Sequence, residues 1–132
     1  MIHVVLDTNV LVSALWSKDG TPAKVAHLIP SREIIPCFCD EILYEYEIVL
    51  SRPKFKFPQY QITTLLESIK RRGMSYAVSK STAHMADESD RIFYDTAKES
   101  KAILITGNIK HFPLEPFIMT PAEFMQKINL GG

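Results

Sequence analysis

The sequence predicts an α/β fold: a three-layer α/β/α sandwich around a parallel sheet of about five strands. Short apolar, β-rich runs alternate with amphipathic segments along the chain, and this alternation is typical of βαβ units. Of the 132 residues, 46 % are hydrophobic, as in ordinary globular proteins. No linker, repeat or low-complexity tract interrupts the chain, so we expect a single domain over residues 1–132.

Five short runs are predicted as strands. Residues 2–6 form a continuous apolar, β-rich run, as expected of a strand that is buried on both faces. The other four predicted strands are residues 34–38, 75–78, 102–106 and 117–119.

Six segments between and after these runs are predicted as helices. The clearest is 59–72, because its apolar residues recur at helical spacing and Gly73 follows it. Right-handed crossovers would place the helices on both faces of the sheet. The other predicted helices are residues 10–16, 21–29, 40–50, 89–100 and 120–128.

Composition narrows the class of protein. Lys and Arg number 15 and Asp and Glu number 15, so a generic polycation that coats nucleic acid is disfavoured. The two cysteines, Cys37 and Cys39, are too few for a disulfide scaffold and fit a reducing cytoplasm. The chain has no apolar run of about 18 residues and no signal-peptide pattern at its start. We therefore expect a cytoplasmic protein with no membrane partner.

Polar residues stand directly after two of the predicted strands. Asp7 and Asn9 follow the first strand, and Thr106 and Asn108 follow the fourth. Chemistry in parallel sheets collects beyond the carboxyl ends of the strands. The alternatives are a helix cap at Asp7 and a plain turn at Asn108.

A third group of polar residues spans residues 85–95, around the start of the predicted fifth helix, where four acids accompany one base. Asp87 and Asp90 have the spacing of an N-terminal capping arrangement. Capping does not require four carboxylates, so part of this set is available for another role. The four acids are Asp87, Glu88, Asp90 and Asp95.

The third helix offers two further acids. Glu45 and Glu47 flank opposite edges of its apolar stripe, and periodicity does not choose between them. The alternative is that both are solvated. Clustered carboxylates repel one another unless a cation joins them, and hard oxygen ligands suit Mg²⁺ or Mn²⁺. Such ions serve phosphoryl chemistry. The cysteines and the four histidines have no recognisable zinc-ligand spacing.

Five segments stand in order and at suitable spacing over essentially the whole chain: VVLDTNVLVS at 4–13, EYEIVLSRPKF at 45–55, DESDRIF at 87–93, TGNIKHFP at 106–113 and TPAEF at 120–124. Together they resemble PIN-domain ribonucleases of a bacterial and archaeal branch. The resemblance implies a metal-dependent endoribonuclease that cleaves RNA phosphodiesters with a metal-activated water. It also implies the toxin component of a toxin–antitoxin pair, with a homodimer and a cognate antitoxin as partners.

Matched residue by residue, the resemblance assigns the metal site. Asp7, Glu45 and Asp90 would be the catalytic acids that hold Mg²⁺ or Mn²⁺, with Asn108 at the fourth position. It also prefers Glu45 to Glu47. Three further residues would support the site: Asn9, Thr106 and, as an outer member, Asp95.

Asn108 is a departure, because many PIN domains have Asp at this position. An amide oxygen ligates a metal without adding charge, which puts a second metal in doubt. A catalytically weak or inactive PIN domain that binds RNA or a protein is therefore the alternative reading. Other enzyme classes fit less well: a haloacid-dehalogenase-type phosphatase needs Asp where Asn9 stands, and a response-regulator receiver needs an Asp after the third strand, where residues 78–80 have none.

Cations for an RNA backbone are concentrated in residues 52–72, which carry six basic side chains, one acid and interleaved aromatics. A solvated helix end beside a packed proline loop is the alternative. The RNA-binding candidates are Arg52, Lys54, Lys56, Lys110 and His111. Tyr44 and Ile48 lie off the main stripe of the third helix, where they would either form a dimer seam or pack under a neighbouring helix.

Overall fold

The computed structural model describes residues 1–131, with side chains through residue 129; Gly132, the last residue of the predicted domain, lies outside it. Its sheet has five parallel strands in the order β3-β2-β1-β4-β5. This arrangement confirms the predicted α/β fold. The strands are β1 (Ile2–Leu6), β2 (Ile34–Phe38), β3 (Met74–Ser75), β4 (Ile103–Ile105) and β5 (Ile118–Met119).

Six α-helices accompany the sheet in the described residues, and each corresponds to a predicted helix. The chain moves outward from β1 to β3 and then returns across the sheet to β4, so right-handed crossovers put helices on opposite faces. The helices are α1 (Thr8–Trp16), α2 (Thr21–His27), α3 (Asp40–Leu50), α4 (Gln59–Arg72), α5 (Arg91–Ser100) and α6 (Pro121–Gly131). Three 3₁₀ turns lie at Pro53–Phe55, Glu88–Asp90 and Ile109–His111.

The third strand is shorter than predicted. Residues 75–78 were expected, but only Met74–Ser75 pair with β2, opposite Cys37 and Phe38. The chain leaves β2 at Phe38 to enter α3, so residues 77–78 have no strand to pair with. The backbone N–H of Tyr76 donates the last hydrogen bond, to the Phe38 carbonyl at 2.8 Å.

The core lies around β1 and β4, the strands that carry the site. Val4 and Val5 are fully buried, as expected for a central parallel strand. Gly73 ends α4 where the chain passes close to β2: a Cβ there would lie 2.3 Å from the Pro36 carbonyl oxygen. No helix within residues 1–131 is long and apolar enough to cross a membrane.

Candidate active site

The sheet brings the ends of β1 and β4 together. Leu6 pairs with Ile105, so the next residues, Asp7 and Thr106, stand side by side at the carboxyl edge. The backbone N–H of Asp7 donates to the Ile105 carbonyl at 2.9 Å. The strand order reverses between β1 and β4. From β1 the chain continues through β2 to β3 on one side of the sheet, and it then crosses to β4 and β5 on the other side of β1. Open parallel sheets form their binding crevices at such switch points.

Asp7 stands at the N-cap position of α1, directly before the helix, but its side chain does not cap it. Its side chain makes no capping hydrogen bond, so the simplest alternative for this residue is excluded. Instead, Asp7 Oδ2 accepts a 2.8 Å hydrogen bond from the buried Thr106 hydroxyl and a 3.2 Å bond from Asn9 Nδ2. The carboxylate is only 6 % exposed. The fold thus commits Asp7 to the crevice rather than to its own helix.

Asn9 and Thr106 connect the loops that follow the two strands. Asn9 Oδ1 accepts a hydrogen bond from the backbone N–H of Gly107 at 3.1 Å. The Thr106 hydroxyl, which donates to Asp7, accepts from the backbone N–H of Asn108 at 3.0 Å. Two of the three supporting residues predicted from the sequence, Asn9 and Thr106, therefore contact Asp7 and fix its orientation.

Glu45, not Glu47, reaches this edge. Tyr46 is buried and its hydroxyl donates to the Leu6 carbonyl at 2.5 Å, which anchors α3 against the end of β1. The preceding residue, Glu45, is half-buried and accepts a 2.5 Å hydrogen bond from the Thr8 hydroxyl. Glu47 is exposed. The geometry thus makes the choice that periodicity left open.

Asp87 and Asp90 divide two tasks. Asp87 caps the 3₁₀ turn, because its Oδ1 accepts from the Ser89 backbone N–H at 2.9 Å and from the Ser89 hydroxyl at 2.8 Å. Asp90 stands at the N-cap position of α5, yet its side chain caps nothing. Its Oδ2 is buried without any hydrogen-bond partner. Asp90 Oδ2 is therefore available to accept a hydrogen bond from water or to ligate a cation.

The carboxylates repel one another. Burial and, to a smaller extent, the negative charges of Asp90 and Glu45 together raise the pKa of Asp7 to about 6, against the lowering effect of the Thr106 hydrogen bond. Burial also raises the pKa of Asp90, and repulsion from Asp87 and Glu45 adds to this effect. Asp87, with its capping bonds, has a lowered pKa. The capping acid is stable as an anion, whereas burial and mutual repulsion disfavour the anionic forms of the two site acids.

The site acids are not already gathered around a metal position. Within residues 1–131, no three His, Cys, Asp or Glu side chains are close enough together to hold an ion. The donors nevertheless fit a hard divalent cation: Asp7, Glu45 and Asp90 supply carboxylate oxygens, and Asp90 Oδ2 has no other partner. Repulsion among these three carboxylates raises the pKa values of Asp7 and Asp90, so the three acids belong to one electrostatic site.

The loop after β4 brings a cation and an amide to the rim. His111 Nδ1 lies 3.7 Å from Asp90 Oδ2, too far for a hydrogen bond but close enough to lower the pKa of Asp90 when protonated. The Asn108 side chain is exposed, and only its backbone is tied to the site through Thr106. Lys110 is exposed in the same 3₁₀ turn.

Asp95, predicted as an outer member, has a different position. It is 5 % exposed, and its Oδ2 accepts from the Ser81 backbone N–H at 2.9 Å, while Oδ1 has no hydrogen-bond partner. It does not contribute to the pKa shifts of Asp7 or Asp90. Asp95 lines a cleft of about 360 Å³ that adjoins the site through Glu45. Its main contact holds the 81–84 loop to α5.

The basic stretch of residues 52–72, which the sequence suggests as one RNA-contact region, does not form one surface. Its two ends lie at opposite ends of α4, about 20 Å apart by helical rise. Arg71 and Arg72 line a small cavity with Arg32, just before β2, at the amino-terminal edge of the sheet. That edge is opposite the carboxylates, so only the 52–56 end remains a candidate for contact with the same RNA strand.

Two residues with direct roles at the site were not predicted. Thr8 orients Glu45, and Tyr46 anchors α3 to β1. Thr8 could have been suspected because a hydroxyl directly follows the first acid, but its partner is on a distant helix. Tyr44 and Ile48 are 66 % and 45 % exposed, so the expectation that they pack under a neighbouring helix is wrong within the described chain.

Comparison with known proteins agrees with this architecture. A family model described as the PIN domain matches residues 3–110, which include Asp7, Glu45, Asp90 and Asn108. An uncharacterized protein of Methanocaldococcus jannaschii is 33 % identical over an alignment of 145 positions, which covers 97 % of this chain and 92 % of the relative. Both the extent of the family match and the nearly complete alignment show that the chain belongs to the PIN-domain family.

Proposed function

We propose that this protein is a Mg²⁺- or Mn²⁺-dependent endoribonuclease and the toxin component of a toxin–antitoxin pair. PIN domains are generally nucleases, and this chain is a PIN domain. The observation that carries the proposal is a pair of acids, the buried Asp7 and the partly buried Asp90, neither of which caps its helix; Asp90 Oδ2 also has no hydrogen-bond partner.

Asp7, Glu45 and Asp90 would hold the cation, with the Asn108 amide as a neutral fourth donor. A bound divalent ion would polarise the scissile phosphate and lower the pKa of the attacking water. The uncharged Asn108 favours one tightly held ion over two. The metal would also remove the repulsion that raises the pKa values of Asp7 and Asp90.

The other residues of the site orient these acids and meet the substrate. Thr106 and Asn9 hold Asp7 in one rotamer, and Thr8 does the same for Glu45. His111 and Lys110 stand at the rim, where positive charge suits a backbone phosphate. Pre-oriented ligands reduce the reorganisation needed when the ion and the RNA bind.

Cleavage of an unstructured RNA, measured with Mn²⁺, with Mg²⁺ and with EDTA, tests the proposal. We expect the native protein to cut with either metal and not in EDTA, and Asp7→Asn and Asp90→Asn to be inactive. Equal cutting by all three proteins would indicate a contaminant and overturn the site. RNA binding without cutting, by folded native protein across several RNAs, would instead favour the catalytically inactive binding module.

The toxin assignment has a separate test. Induced expression of the native chain in a bacterial host is expected to stop growth, and expression of Asp90→Asn is not. A co-purifying or co-encoded small antitoxin that restores growth would identify the partner, and sedimentation would test the homodimer. The free, buried cysteines Cys37 and Cys39 are consistent with a cytoplasmic location. Normal growth despite active enzyme would leave a stand-alone nuclease.

A further inference from the structure

An exposed aromatic cluster lies at the far end of α1 from the acids. Trp16, the chain's single tryptophan, is 65 % exposed. Its ring meets Phe55 and Phe57 edge-on, at centroid distances of 5.9 and 6.0 Å, and the two phenylalanines stack on each other at 5.4 Å. We call Trp16, Phe55 and Phe57 the aromatic platform. The two phenylalanines fix the orientation of the indole while leaving much of it open to solvent.

The segment that carries the two phenylalanines of the aromatic platform is basic. Residues 51–58 contain Arg52, Lys54 and Lys56 and no acid, in a chain whose net charge is zero. All three side chains are exposed, and none forms an ion pair with another residue in the described part of the chain. Lys54 Nζ lies 5.2 Å from the Phe55 ring centroid. These cations are therefore available to an external anion.

The distance between the platform and the acids suits one strand of nucleic acid. The first turn of α1 carries Thr8, which bonds Glu45, and the last residue of α1 is Trp16. The rise of an α-helix from Thr8 to Trp16 is about 12 Å. Stacked nucleotides advance about 3.4 Å each along a strand, so about three to four of them would cover the same span.

We propose, resting on the ribonuclease function above, that Trp16 stacks on an unpaired base of single-stranded RNA while Arg52, Lys54 and Lys56 bind the adjoining phosphates. Exposed aromatic rings among unpaired cations are the combination that binds single strands without reading their sequence. The charged residues within four positions of the three rings are the basic Lys18, Arg52, Lys54 and Lys56 and the acidic Asp19, and this excess of positive charge favours a polyanion as the occupant. The platform would hold the strand a few nucleotides from the phosphate that is cut.

The single tryptophan makes a direct measurement possible. Native protein in EDTA, which prevents cleavage, is titrated with a twelve-nucleotide oligouridine while Trp16 emission is recorded. Stacking is expected to quench the emission to a saturable plateau. A blunt RNA duplex of equal length, whose bases are paired, is expected to quench several-fold less. Equal quenching by the duplex would overturn the proposal, because it would show general electrostatic attraction.

Variants are compared by the anisotropy of a labelled oligouridine. Trp16→Leu is expected to weaken binding about tenfold, since base–aromatic stacking is worth about 1–3 kcal/mol, and Trp16→Phe to retain most of the affinity. Tyr44→Leu is the matched control: Tyr44 is 66 % exposed but lies among acids on α3. Affinity unchanged in Trp16→Leu, or reduced equally in Tyr44→Leu, would overturn the assignment.

The assay separates this proposal from the nuclease proposal. Quenching in a protein that cuts no RNA would support base stacking on Trp16 and overturn the nuclease proposal. Cleavage without quenching would support the nuclease proposal and overturn base stacking on Trp16. A change in Trp16 emission that follows protein concentration and is indifferent to RNA would identify the platform as a contact between copies of this chain and overturn the RNA assignment.

Discussion

The two ends of α1 differ in charge, burial and energetic consequence. At the Thr8 end, three acids lie near the carboxyl ends of β1 and β4, and burial with mutual repulsion raises the pKa values of Asp7 and Asp90. At the Trp16 end, cations remain exposed in solvent around an aromatic surface. Only the acid end stores unfavourable electrostatic energy, which is typical of sites that bind a cation or do chemistry. The other end has the character of a binding surface.

The largest expected effect distinguishes two acids of the same turn. Asp90→Asn should lower RNA cleavage at least about 100-fold, because under the proposed mechanism it removes a carboxylate that would hold the metal ion, and that ion would stabilise the developing negative charge. Asp87→Asn should stay within about threefold of native activity, since Asn caps a helix as well as Asp does. Initial rates in Mn²⁺ measure both. Equal losses would mean that the turn matters only as a structural unit.

The raised pKa of Asp7, caused mainly by burial and also by repulsion from Asp90 and Glu45, should make the stability of the metal-free protein depend on pH. A folded pKa of about 6, raised from 3.8, means that the folded state holds this proton more tightly than the unfolded chain. The resulting stabilisation is complete below the unfolded pKa and is lost as pH rises through about 6. The loss is on the order of 3 kcal/mol.

Asp7→Asn removes the titrating group and should therefore raise Tm in EDTA at pH 7.5 by roughly 5–10 °C. At pH 4 the difference between variant and native protein should nearly vanish. Thermal melts at the two pH values, in EDTA, make the comparison. A variant that is less stable than the native protein at pH 7.5 would show that Asp7 is not destabilised by its surroundings.

Thr106 should act through Asp7 as a positioning residue. Thr106→Val keeps the shape but removes the hydroxyl that donates to Asp7 Oδ2, so cleavage should fall about tenfold. Thr106→Ser, which retains the hydroxyl, should recover most of the activity. The Mn²⁺ concentration for half-maximal rate should rise in the valine variant only. Equal behaviour of the two variants would reduce Thr106 to a packing role.

The smallest effect concerns the cations beside the platform. Replacing Lys54 and Lys56 together by Gln should weaken oligouridine binding several-fold and make the plot of log affinity against log salt less steep by about 1.4, if each lysine contacts one phosphate. Arg71→Gln with Arg72→Gln, at the other end of α4, is the charge-matched control and should leave the slope unchanged. Similar slopes for both pairs would indicate diffuse attraction rather than a defined strand path.

The sheet was predictable because its strands are short apolar runs in a regular alternation with helices. Asp7 and Thr106 followed from the same pattern, since residues that leave adjacent parallel strands must meet at one edge. The predicted third strand is too long because the length of β3 depends on where its partner β2 ends. The local composition of residues 75–78 does not indicate the end of β2.

Other features depend on contacts between distant segments. The sequence does not distinguish Asp87 from Asp90 as the capping residue. The structure does, because the backbone N–H of Ser89 donates to Asp87. Glu45 was separated from Glu47 by the Thr8 hydroxyl, which belongs to another helix. Trp16 had no role in the sequence reading because the phenylalanines it meets follow α3, far along the chain. Local patterns therefore located the site, and tertiary contacts selected its members.

The most direct test of the ribonuclease account is the chemistry of the product ends. A water nucleophile leaves 5′-phosphate and 3′-hydroxyl ends and does not need the 2′-hydroxyl. We expect the native protein, with Mn²⁺, to give these ends and to cut equally well when the nucleotide at the scissile position is replaced by its 2′-deoxy form. Cyclic 2′,3′-phosphate ends, or loss of cutting at the deoxy position, would contradict the account, because they would make the RNA's own hydroxyl the nucleophile.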